Sequence, residues 1–264
     1  MSWILAEYHP VSLFSLRPAM ATASGGKTLL TPSAFAFKMA LLSASIQTAG
    51  VAEGERRFPL LRDLRIAMRP PARITVLKSF AKIQRPVRLK VSKEKGETEE
   101  AFQERQQQEV AELIEMGHYP FRATIAYREL VQFGEPLGPA QNNVLRIALS
   151  SPDGNTPEWV AQALLAINYL GRRGGFMQPL GAPRTVEALS GDFTEVTGDS
   201  AGFQIDGTLQ MLDDCGPTMT FAHADIYNPK RITLGKERIL RHVVLPYRLT
   251  RSSRGYSLYE RQGQ

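Results

Sequence analysis

Apolar positions first gather in the run "WILAEYHPVSLFSL" near the start of the chain, whose strand-forming residues predict a first β-strand, with His9-Pro10 calling for a bulge or a sheet edge. The spacing of Phe35, Met39, Leu42 and Ile46 then predicts a helix after Thr31-Pro32-Ser33, with Thr31 as its N-cap, Pro32 in its first turn and Gly50 at its end. Lys38 falls off that apolar stripe. "RITVLKSFAKIQRPVRLKV" reads as two extended pieces broken at Arg85-Pro86. "ETEEAFQERQQQEVAELIEMG" follows as a helix with so few apolar positions that it has little to bury, and residues 73–117 are expected to form a projecting insertion.

Two further strands are predicted in "RATIAYRELVQF" and "NVLRIALS", the second by alternation of Leu145, Ile147 and Leu149 with their neighbours. Thr156-Pro157-Glu158 opens a second helix with Val160, Leu164 and Ile167 on one face, and Gly171 stands where its C-cap belongs. Shorter strands follow in "GFQIDGTLQML", "RILRHVVLPYRL" and "GYSLYE". The order strand, helix, insertion, strand, strand, helix, strand is the βαββαβ order of a ferredoxin-like, RRM-like domain. The expected fold is therefore α+β: a ferredoxin-like domain over residues 1–180 with an inserted basic thumb at about 73–117, then a small β-rich domain over 181–264. The base-stacking RNP1 signature of RNA-recognition motifs is missing.

Charge sharpens this picture. The chain of 264 residues carries a net charge of +6, but residues 56–95 hold thirteen Lys or Arg against two acids, and residues 228–264 hold nine against two. Between them, residues 96–116 hold seven glutamates against Arg105. Two cationic blocks around an acidic helix point to a polyanion surface. The single cysteine, Cys215, excludes an internal disulfide, and four scattered histidines argue against zinc, so neither metal nor cofactor is expected. No apolar run is long enough to span a membrane, and a cytoplasmic protein is expected.

Two loops carry candidate chemistry. "ATASGGKT" approximates a nucleotide-binding P-loop but has Ala21 where the first glycine belongs, and no later apolar strand ends in an Asp suited to magnesium. Lys27 is thus read as a cation on the loop before the first helix. "NYLGRRGGFMQP" admits two readings: a helix C-cap followed by a tight turn, or a cradle in which the backbone of Gly171, Gly174 and Gly175 and the side chains of Arg172 and Arg173 meet phosphates. His118 is the best-placed general acid, although no nucleophile is spaced to stand beside it. Asp213-Asp214 reads as a turn before Cys215-Gly216-Pro217.

Taken together, "TPSAFAFKMALLSASI", the basic "VLKSFAKIQRPVRLK", "YRELVQFGEPL" feeding "LRIALS", and the Gly-rich loop resemble the RNA-binding subunits of CRISPR systems, most of all the Cas-five-type (RAMP superfamily) subunit of a type I Cascade complex. The resemblance covers roughly the first 180 residues by element order. It implies a non-catalytic subunit that holds the 5′ handle of the crRNA and caps the backbone subunits. It also implies contact with the large subunit near the site where target DNA is read at the protospacer-adjacent motif. Carried onto this chain, it implies RNA contacts from Lys27, from Lys78, Lys82, Arg85, Arg88 and Lys90 on the thumb, and from Gly171 to Gly175. One subgroup of the family cuts repeat RNA without metal through a Tyr-Lys-His set. Here Gly117 precedes His118 in place of the lysine, so an endoribonuclease is the alternative reading, and an adaptor without nucleic acid is the third.

Overall fold

The computed structural model describes residues 2–21, 26–86, 92–118, 121–134, 143–171, 174–198, 206–225 and 227–262. In chain order its elements are β1 (Trp3–Pro10), α1 (Ala34–Ala49), α2 (Val51–Asp63), β2 (Arg65–Arg69), β3 (Arg73–Pro86), α3 (Glu99–Glu115), β4 (Phe121–Phe133), β5 (Leu145–Ser150), α4 (Glu158–Ala166), β6 (Met177–Pro179), β7 (Arg184–Val186), β8 (Thr194–Glu195), β9 (Thr208–Cys215), α5 (Phe221–Ala224), β10 (Arg238–Leu245), β11 (Tyr247–Ser252) and β12 (Tyr256–Arg261). The fold is α+β with antiparallel sheets. Residues 1–79 and 129–264 make one compact unit, and residues 80–128 make a second.

The main sheet of the first unit runs β6-β1-β5-β2-β8, with β7 also paired to β1. Strand β1 is therefore central, antiparallel to β5 through pairs such as Ile4 with Leu149 and to β6 through His9 with Gln178. The segment containing His9-Pro10 thus needs no bulge, because β6 meets it for only three residues. Both faces of β1 are covered. Ile4, Ala6 and Tyr8 face the helices, while Trp3 and Leu5 join Ala67 and Ala148 in a smaller cluster roofed by Val186, Leu189 and Phe193. A strand buried on both sides has no polar face, which is why "WILA" reads as a continuous apolar run. The Tyr8 hydroxyl donates to the Leu164 carbonyl at 2.8 Å, and burial drives its pKa far above the usual phenol range.

Helix α1 begins later than its sequence implies. Ser33, not Thr31, is the N-cap: its Oγ accepts from the Ala36 N–H at 3.2 Å, whereas Thr31 is buried with its hydroxyl turned to Met68 Sδ. Pro32 consequently precedes the cap instead of sitting in the first turn. The core face is also rotated. Ala34, Phe37, Leu41 and Ser45 are the deeply buried positions, with Phe35, Met39 and Ile46 packed at its margin. Lys38 lies on the buried face at 2% exposure, against the expectation that it stands off the apolar stripe.

The second strand of the main sheet is β2, where Ile66 and Met68 face the core, and not the "RATIAYRELVQF" segment. That segment is β4, which belongs with β11, β12 and β3 in a separate four-stranded sheet. Helix α2 precedes β2 and is likewise absent from the sequence expectation. It holds because Phe58 and Leu61 are buried and Gly54 lets it close on α1, where a Cβ would stand 2.5 Å from Ile46 Cγ1.

The insertion also shifts. Ile74 and Val76 of β3 are core residues, and Arg73–Leu77 pairs with β12, so this stretch belongs to the first unit. The second unit contains the rest of β3, α3 and the start of β4. No residue of α3 is buried, as its sparse apolar content predicts. Thr98 caps it, and Arg105 hydrogen-bonds the Glu97 carboxylate, which holds the Glu97 pKa down to about 2. Among the described residues, no helix is long and apolar enough to cross a membrane.

Candidate nucleic-acid interface

The "GGKT" loop is tied down by one buried carboxylate. Glu129, 6% exposed, accepts from the Thr28 N–H at 3.1 Å and pairs with Lys27 Nζ at 2.9 Å, while its own N–H donates to the Gly26 carbonyl at 2.7 Å. Thr28 Oγ1 in turn accepts from the Leu16 N–H at 2.9 Å. A nucleotide cradle needs loop amides turned toward phosphate, and here the Thr28 amide is committed to protein. Lys27 remains 74% exposed at its side chain, so its cation faces solvent with Glu129 as counter-charge.

Beside this loop lies a cleft of about 280 Å³. Its walls come from the first turn of α1 (Ser33, Phe35), from Leu16 and Arg17, from Tyr169 and Gly171, and from Asp213 and Arg238 on the β9-β10 hairpin. The guanidinium of Arg238 sits 4.2 Å over the Phe35 ring and bonds Asp213. A helix N-terminus, two arginines and two aromatic rings thus line the cleft, with Asp213 as counter-charge to Arg238, a combination suited to an anionic ligand with flat parts.

The Gly-rich segment is the tip of a short ribbon, not a helix cap. Helix α4 stops at Ala166, and Ile167 is already extended, so Gly171 lies four residues too late to cap it. Instead Tyr169 bridges to Phe176, the Leu170 N–H donates to the Gly175 carbonyl at 2.9 Å, and Ser12 Oγ donates to the Gly174 carbonyl at 2.8 Å. Gly171 has φ +72°, and a Cβ there would meet Leu16 Cδ2 at 3.2 Å. The positive φ is the feature that favours glycine, and a Cβ would in addition press on the Leu16 side chain. Arg172 and Arg173 fall between these glycines in sequence and lie outside the described residues, as do Arg88 and Lys90.

Other expected contacts do not line the cleft. Lys78 Nζ donates to the Ser253 carbonyl at 2.9 Å, closing the turn between β11 and β12. Lys82 is exposed on β3, and Arg85 falls within the same strand. His118 is exposed just beyond α3, its backbone N–H donating to the Leu113 carbonyl at 2.9 Å. Among the described residues, no side-chain bond to its imidazole is seen.

Asp213 and Asp214 do not form a turn. Both lie in β9 and are buried at 1% and 2% exposure, where they neutralise cations that would otherwise stand uncompensated inside the fold. Asp214 meets Lys38 Nζ at 2.7 Å and Arg241 Nε at 3.0 Å, and Lys38 also donates to the Arg62 carbonyl at 2.7 Å. This network joins α1, the end of α2 and the β9-β10 hairpin, and so fixes the far wall of the cleft. Beside it, burial pushes the Cys215 thiol up to about 12. Thiol reagents act on the thiolate, so Cys215 is expected to resist alkylation in the native protein at mildly alkaline pH and to react fully once denaturant is added, as read by mass spectrometry.

Sequence reasoning missed Glu129, Arg17 and Arg238. Glu129 and Arg238 have partners far along the chain, from Thr28 to Glu129 and from Phe35 to Arg238, while Arg17 bonds locally to the Ala21 carbonyl and joins the cleft only through the fold.

No family model matches the chain. A curated relative, the CRISPR-associated protein Cas5 of Archaeoglobus fulgidus, is 35% identical over 94 residues, which is 34% of this chain and 41% of the relative. The match therefore spans less than half the relative's length. Two solved structures align over nearly the whole chain. One is a CRISPR protein from Archaeoglobus fulgidus, at 13% identity and TM-score 0.46, covering 100% of this chain and 93% of that one. The other is a CRISPR RNA-guided surveillance complex, at 14% identity and TM-score 0.46, covering 98% of this chain and 90% of the matched chain. Over these 94 residues the chain is similar to Cas5, the family that its sequence resembles.

Proposed function

We propose that the protein is a non-catalytic RNA-binding and assembly subunit of a CRISPR surveillance complex, holding the 5′ handle of the crRNA. The observation that carries this reading is the cleft, where the Gly-rich tip, the α1 N-terminus, Arg17 and Arg238 converge in a chain similar to Cas5 over 94 residues. In support, the four strands β6-β1-β5-β2 follow the order 4-1-3-2 of a ferredoxin-like sheet, with α1-α2 and α4 as its crossovers. The handle phosphates lie along Gly171 and the helix N-terminus on this reading, and Arg172 and Arg173, next to Gly171 in sequence, supply further cations. The backbone and large subunits, and the target DNA near its recognition motif, are the partners on this reading. His118 has no assigned step.

The test is to express the chain with its genomic neighbours and sequence the RNA that co-purifies. One shared 5′ end joined to many downstream sequences supports the reading, and random RNA overturns it. In the assembled complex, Arg172→Ala with Arg173→Ala is expected to flatten the dependence of log K on log salt by roughly 0.7 for each phosphate that no longer meets a cation. Metal-independent cutting of repeat RNA that disappears in His118→Ala would replace the non-catalytic reading by the enzymatic one.

A further inference from the structure

The second unit carries a feature that the cleft does not explain. Phe80 on β3 is 73% exposed, and its ring meets Tyr127 of β4 edge to face at a centroid distance of 5.7 Å and an interplanar angle of 69°. Ile125, two residues before Tyr127 and hence on the same side of β4, is 77% exposed. Lys82, two residues beyond Phe80, is exposed on the matching side of β3.

Large apolar side chains grouped on one exposed ribbon mark a contact surface, and their neighbours show what it meets. Residues 78–95 contain seven Lys or Arg and one glutamate, so a cationic or purely apolar partner is disfavoured. An edge-to-face contact steadies the Phe80 ring, and at 73% exposure most of that ring stays open. Aromatic faces beside lysines, on a ribbon of this charge, match the stacking platforms that hold unpaired bases by their π-faces while cations track the phosphates.

We propose that Phe80, steadied by Tyr127, stacks on an unpaired base of RNA, with Lys82 on the adjoining phosphate. This rests on the RNA-binding reading and adds to it a second point of attachment, carried by the second unit and indifferent to base identity.

The test uses the full chain and a set of short unstructured RNAs, each with one fluorescent aminopurine at a different position. The wild type is expected to quench the probe at one position. Phe80→Ala is expected to abolish that quenching and weaken binding about tenfold with the salt slope unchanged, since every cation on the phosphates stays in place. Phe80→Trp is expected to retain both, whereas Lys82→Ala is expected to lower the slope by roughly 0.7. Because Phe80 is exposed, none of these changes threatens the core. RNA binding that is equal in wild type and Phe80→Ala overturns the platform and leaves the handle reading standing. Failure of the wild type to bind any of the RNAs overturns the platform, while the handle reading is judged by the RNA that co-purifies with the assembled complex. Binding of a polyglutamate peptide that is abolished in Phe80→Ala, with no change on RNA, assigns the pair to an acidic protein partner and overturns the proposal.

Discussion

Asp214→Ala is expected to destabilise the protein by about 3–5 kcal/mol, seen as a lower denaturant midpoint with an unchanged slope of unfolding free energy against denaturant. Asp214 accepts from Lys38 at 2.7 Å, from Arg241 at 3.0 Å and from the Cys215 N–H at 2.8 Å, with almost no access to water. Removing it strands the Lys38 ammonium with only the Arg62 carbonyl. The asymmetry of the pair is the sharper test. Lys38→Met replaces the cation by an apolar chain of similar length and leaves Asp214 its bonds to Arg241 and the Cys215 amide, so it is expected to cost less than half as much. Equal losses from the two substitutions would show that the network is not acting as a charge-compensated unit.

Gly216→Ala is expected to cost about 3 kcal/mol, again read from the denaturant midpoint. A Cβ at Gly216 would stand 1.7 Å from the Lys236 carbonyl oxygen and 2.8 Å from its carbon. Those atoms are backbone and cannot swing aside. The strand end must withdraw, which also breaks the hydrogen bond from the Gly216 N–H to the Glu237 carbonyl at 2.8 Å. Because β9 and β10 carry Asp213 and Arg238 into the cleft, both substitutions are also expected to weaken RNA retention in the assembled complex. A Gly216→Ala protein of wild-type stability would mean that the 216–237 approach is looser than the structure has it.

Much of the scaffold is legible in the sequence because it rests on local patterns. The run of β1, the alternation of β5 and the start of α4 at Glu158 all follow from spacing alone. What escapes is held by distant partners. Strand β2 is short and bracketed by Arg65 and Arg69, so its charges mask Ile66 and Met68, and only pairing with β5 makes it a strand. Helix α2 contains Gly54 and Pro59, which argue for a loop until α1 is packed against it. Lys38 reads as a surface residue because its partner lies at Asp214, and a carboxylate pair before a glycine and a proline reads as a turn because burial leaves no local mark. At the candidate site, glycines and cations are visible in the sequence. Which of them share a cleft is not, since Arg17, Phe35, Gly171 and Arg238 are joined only by the tertiary fold.

The central place of β1 has a kinetic consequence. Its partners β5, β6 and β7 all lie beyond residue 144, and β3 waits for β12 at residues 256–261. During synthesis this strongly apolar strand therefore emerges long before anything can pair with it. With so much native pairing non-local, chain closure will govern the rate of folding, and the nascent protein will spend its longest vulnerable interval with that strand unsheltered. Growth temperature and chaperone capacity should accordingly decide its yield more than the stability of the finished fold.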